Sequence, residues 1–93
     1  MTKSELVEKI VEANKLLTRK ESEMVVNIVF DAMCEALQHG EKVEIRGFGS
    51  FTIRERDARE ARKPKSGEVV RIPAKKTPFF KTGKELRERV NNS

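Results

Sequence analysis

Ninety-three residues, 38% of them charged and only 5% aromatic, allow one small domain with little core. The net charge of +5 hides a division: residues 1–45 hold 6 Lys/Arg against 9 Asp/Glu, whereas residues 46–93 hold 14 against 6. One cysteine excludes an internal disulfide framework and suits the cytosol, and no apolar run approaches the ~18 residues a membrane span needs.

Three segments open with Thr-x-x-Glu: Thr2 to Glu5, Thr18 to Glu21 and Thr82 to Glu85. Thr at a helix start accepts from free backbone N–H groups while Glu reaches back to the cap, so three helices are predicted. The first runs from about Lys3 to Ala13, with Leu6, Val7, Ile10 and Val11 on one stripe. The second runs from about Arg19 to Gln38 and stops before Gly40. Apolar residues cover well over half of its circumference, more than a helix on the surface of a small domain needs. A partner chain, most simply a second copy, is expected to cover the second side. Cys34 falls inside this run and reads as a small buried filler.

After Gly40 the period changes from 3.6 to 2. Val43 and Ile45 are expected to face inward, Gly47-Phe48-Gly49 marks a turn, and Phe51 and Ile53 continue on a returning strand. That strand leads into a basic ribbon, about residues 54–76, turning at Pro64 to Gly67. Glu68 to Lys76 returns with Val70, Ile72 and Ala74 on one face, and Pro73 requires a ribbon edge. At ~3.3 Å per residue, strands of about ten residues would reach about 30 Å from the body. The last helix, from Lys84 to about Asn91, is short and charged.

Residues 54–81 carry 10 basic and 4 acidic side chains and no aromatic before Phe79. Such a segment cannot order itself by apolar burial, and its charge specifies a polyanion as the partner that does. Arg54, Arg56, Arg59, Arg62, Lys63, Lys65, Arg71, Lys75, Lys76 and Lys81 would neutralise phosphates or enter a groove. The lack of aromatics along the arm disfavours base stacking on single strands. Pro64 has two readings, a turn former or a rigid wedge between base pairs.

Other chemistry finds little support. With one His, one Cys, no Tyr and no Trp, no catalytic constellation or metal set is expected, and no cofactor. His39 sits at a helix end, and Gly47-x-Gly49 lacks the ending of a phosphate loop. A helix-turn-helix reader is disfavoured because the second helix is mostly apolar. Two further alternatives remain, an RNA-binding module using the same arm and a protein acting mainly through its dimer face.

Three stretches, in this order and spacing, resemble the HU/IHF family of bacterial architectural DNA-binding proteins. They are Gly47-Phe48-Gly49-Ser50-Phe51, Arg59-x-x-Arg62-Lys63-Pro64-Lys65-Ser66-Gly67, and Phe80-Lys81-Thr82-Gly83-Lys84-x-Leu86. The resemblance covers nearly the whole chain as one domain. It implies an α+β fold, an intertwined dimer with a helical body and a three-stranded antiparallel sheet extended into a two-stranded β-ribbon arm. Residues 1–40 would form the helical dimerisation part, 41–81 the saddle and arm, and 82–93 the last helix.

The resemblance further implies an architectural protein of the cytoplasm and nucleoid, with double-stranded DNA as partner and no catalysis. It implies a homodimer or a heterodimer with a sister subunit, and favours the wedge for Pro64, with Ser66 beside it. Val25, Ile28, Val29, Ala32 and Met33, with Phe48, Phe51 and Phe80, are the expected dimer contacts. Lys3 and Lys84 match positions near the body that hold flanking phosphates. Glu44-Ile45-Arg46-Gly47 is similar to the IHF β-subunit branch, where the matching Glu and Arg help set sequence preference. Ala61, Lys63 and Ser66 stand where the family arm often has Gly, Asn and Thr.

Overall fold

In the computed structural model, which describes residues 1–92, two helices come first, α1 (Lys3–Ala13) and α2 (Arg19–Gln38). Five strands follow, β1 (Val43–Ile45), β2 (Gly49–Arg56), β3 (Arg59–Arg62), β4 (Val69–Ile72) and β5 (Lys75–Thr82), and then helix α3 (Lys84–Asn91).

The helix starts follow from local chemistry. Thr18 and Glu21 form a complete capping box: the Thr18 hydroxyl accepts from Glu21 N at 3.1 Å, and Thr18 N donates to the Glu21 carboxylate at 3.0 Å. These bonds hold the Glu21 carboxyl below its ordinary pKa, the Thr18 backbone donor contributing most. Thr2 caps α1 by accepting from Glu5 N. The third expected cap does not form. Gly83 occupies the N-cap of α3, and the Thr82 hydroxyl donates to the Gly83 carbonyl instead. Thr82 is the last residue of β5 and is paired with Gly49, so its position belongs to the sheet.

Helices α1 and α2 form a hairpin whose contact is buried at Val7, Ser22 and Val26. Ser22 is fully buried, and its hydroxyl donates to the Thr18 carbonyl at 3.0 Å, which leaves no unpaired polar group at the contact. Arg19 and Glu8 form an ion pair across the hairpin.

Strands β1, β2 and β5 form an antiparallel sheet in the order β1-β2-β5, and β3 pairs with β4. Gly49 is where backbone and ring come close. A Cβ there would lie 2.5 Å from the Lys81 carbonyl and 2.7 Å from the Phe80 ring. The register of β2–β5, ending at Arg56↔Lys75, resumes unchanged in β3–β4 at Arg59↔Ile72. The gap holds Asp57 and Ala58 on one side and Pro73 and Ala74 on the other. Pro73 has no N–H to donate, which accounts for the break.

The shape is elongated, 62 × 33 × 27 Å, with a radius of gyration of 19.4 Å where a compact chain of this length would have about 12 Å. The only buried hydrophobic side chains among the described residues are Val7 and Val26. Two inward expectations are corrected: Ile45 is exposed, and so is Cys34. Cys34, Leu37, Ile53 and Pro78 instead line an open groove between α2 and the sheet. One chain has no element left to close it. The second side of α2 is bare as well, with Met24, Val25, Ile28, Val29 and Phe30 exposed.

Candidate nucleic-acid interface

Side chains alternate across a strand, so the register sorts the arm residues by face. On one face Phe51 lies opposite Phe80, Ile53 opposite Pro78 and Glu55 opposite Lys76. This is the helix side, since Ile53, Glu55, Lys76 and Pro78 share a groove with Cys34 and Leu37 of α2. The Phe80 ring centroid lies 4.7 Å from that of Phe51 and 5.3 Å from that of Phe48, both tilted. The same parity on the arm carries half-buried Ala61, Val70 and Ile72, with Arg59 opposite Ile72.

The other face faces away from the helices and is basic. Thr52, Arg54 and Arg56 lie opposite Phe79, Thr77 and Lys75, with Ser50 opposite Lys81. Beyond the gap the same parity brings Glu60 opposite Arg71 and Arg62 opposite Val69. Among the described residues Arg56 and Lys75 have no carboxylate within ion-pair distance, although they stand directly across from each other. Like charges opposed on a ladder destabilise it unless an anion lies over them.

The ten arm cations therefore do not share one face. Arg54, Arg56, Arg62, Arg71, Lys75 and Lys81 share the outer face. Arg59 and Lys76 lie on the other, where Lys76 is 3.6 Å from Glu55. At the tip Lys63 is 3.8 Å from Glu68, and Lys65 and Ser66 are exposed in the turn.

The tip is closed by backbone. Gly67 N donates to the Lys63 carbonyl and Lys63 N to the Glu68 carbonyl, both at 2.9 Å, while Ser66 Oγ accepts from Glu68 N at 3.3 Å. Gly67 holds φ +70°, which favours glycine. Pro64 donates to none of these bonds and stands exposed at the leading corner.

Arg46 and Lys84 are distant in sequence and come together. With Glu44, Gly47, Ser50 and Glu85 they line one groove at the end of the sheet. Lys3 lies elsewhere, in a groove with Ser4, Arg19 and Glu23 at the helix hairpin. One contact was missed in the sequence: the Arg54 guanidinium carbon sits 3.4 Å from the Phe79 ring centroid. Period-2 alternation would have placed Phe79 on the basic face had the pairing register been known.

Residues 1–91 match the family model described as bacterial DNA-binding protein. The chain belongs to this family. The HU/IHF resemblance is thereby borne out over almost the full chain. Integration host factor subunit beta of Dichelobacter nodosus is 50% identical over 91 residues, covering 98% of this chain and 95% of that protein. Anabaena HU, solved in a cocrystal with DNA, superposes with a TM-score of 0.82 at 42% identity over 100% of both chains. HU from Thermotoga maritima superposes at 0.65 with 29% identity, over 97% of this chain and 98% of that one. The α+β fold of this HU/IHF-family member thus agrees with HU structures.

Proposed function

We propose that this chain acts as a dimer whose two arms grip duplex DNA through the minor groove, bend it and organise the nucleoid. The observation that carries the reading is the directly opposed Arg56 and Lys75 on the outer face, continuous with Arg54, Arg62, Arg71 and Lys81 and turned away from the helices. That placement wastes ladder stability unless a polyanion lies across it. A second copy is the natural cover for the bare side of α2 and the open groove below the sheet, with Val25, Ile28, Val29, Ala32, Met33, Phe48, Phe51 and Phe80 at the contact.

A normal minor groove is about 6 Å wide, too narrow for a two-stranded ribbon, so an arm placed there widens it and the duplex bends. Bending a short site costs on the order of 1–6 kcal/mol, offset by the phosphates that the bent DNA brings to the body, at Lys3, Arg46 and Lys84. Pro64, exposed and outside the turn's hydrogen bonds, is the wedge. The function is mechanical, with no chemical step assigned.

A second reading makes the chain one subunit of a sequence-preferring heterodimer. It is favoured by the groove that joins Glu44, Arg46 and Lys84, together with the identity to an integration host factor beta subunit. The test is titration of the purified chain, after measuring its solution mass, onto intact, nicked and randomised duplexes and structured RNA at two salt concentrations. A stable dimer that binds all duplexes with steep salt dependence supports the general binder. A weak homodimer that gains affinity and selectivity only with a second subunit supports the heterodimer. Preference for RNA over duplex DNA refutes both.

A further inference from the structure

Phe79 is half-buried on the basic face of the sheet, whereas Phe48, Phe51 and Phe80 cluster through the other face. The aromatic cluster therefore does not account for it. Its ring lies beneath Arg54, whose guanidinium carbon is 3.4 Å from the centroid. Arg54 pairs with Thr77 and Thr52 with Phe79, so this contact is the diagonal one across the β2–β5 ladder. No carboxylate holds Arg54 among the described residues. A carboxylate would cancel the charge and compete with phosphate, whereas a ring fixes the guanidinium plane and leaves its charge available.

We propose that Phe79 is a positioning residue that pre-orders Arg54 for contact with DNA, an inference that rests on the DNA-binding reading above. Arg54 already occupies one ring face, so Phe79 holds the cation in preference to stacking a base. An arginine ordered in advance loses less side-chain freedom when the duplex arrives.

The test is a double-mutant cycle on one nicked duplex: the unaltered chain, Phe79→Leu, Arg54→Ala and the double variant, with Phe79→Trp alongside. Melting temperature and solution mass monitor folding. Leu keeps apolar bulk and removes the ring's charge distribution. Phe79→Leu should weaken binding about two- to fivefold, the worth of an exposed cation–π contact. It should leave the salt slope unchanged because no cation is lost, and should cost nothing further once Arg54 is Ala. Phe79→Trp should bind as well as the unaltered chain or better, and this keeps the test decisive if the Leu variant fails to fold. Equal losses from Phe79→Leu in both backgrounds, no loss in either, or a weakened Trp variant would overturn the proposal. A different pattern, no duplex binding by the unaltered chain, would bring down the DNA-binding reading itself.

Discussion

Replacing Arg56 and Lys75 together by Gln probes the face assignment most directly. The two residues oppose each other on β2 and β5, on the outer face, without an acidic partner among the described residues. In the proposed homodimer this removes four cations. At about 0.9 per neutralised phosphate, the slope of log affinity against log salt should fall by about 3.6, and the affinity lost between roughly 50 and 200 mM salt should shrink by about two orders of magnitude. Removing a like-charge pair relieves the ladder by about 0.2–1 kcal/mol, so the variant should melt no lower than the unaltered chain, which separates lost contact from lost fold. Lys76→Gln is the paired comparison. It lies one residue along the same strand but on the helix side, 3.6 Å from Glu55, and should leave the slope nearly unchanged. Fluorescence-anisotropy titration at five or so salt concentrations gives both slopes. If Lys76→Gln flattens the slope per cation as much as the Arg56/Lys75 change does, the outer face is not the DNA-binding face and the reasoning is refuted.

Pro64→Ala should reduce the bend angle measured by FRET more than it reduces affinity, because the tip is closed by bonds among Lys63, Gly67, Glu68 and Ser66 that Pro64 does not supply; an unchanged bend angle would rule out the wedge. Gly49→Ala should destabilise the fold by about 1–3 kcal/mol, since the new Cβ would meet the Lys81 carbonyl and the Phe80 ring. Urea unfolding at fixed protein concentration reads this, and an unshifted midpoint would contradict the close approach. Glu21 has its folded pKa lowered from 4.5, so its share of stability is complete above that value and is lost as pH falls through the lowered one. Glu21→Gln should flatten the acid limb of the stability–pH curve, and superimposable limbs would show that the capping charge contributes nothing.

Much of the local structure was legible in the residues. The capping box at Thr18 and Glu21, the stripe of α1 and the glycine at the tip each act within a few residues of themselves, so spacing alone specifies them. The basic arm was legible for a similar reason, because a segment with few apolar side chains and no aromatic before Phe79 cannot order itself by apolar burial.

Tertiary structure decided what depends on pairing. Thr82 resembles a cap but is claimed by β5, which leaves Gly83 at the start of α3. Lys75 and Lys76 are alike in sequence, and only the register against β2 sends one outward and sets the other beside Glu55. Cys34, read as buried in an apolar helix, lies open because the chain carries no element to cover that side. Arg46 shares a groove with Lys84, and Arg54 meets Phe79, across strands and turns whose separation in sequence encodes no proximity. Sequence by itself determined which segments are helix, strand and arm, because caps, period and turns act over one or two turns of chain. The tertiary structure decided which face of the sheet the helices cover, and therefore which cations remain free to meet DNA.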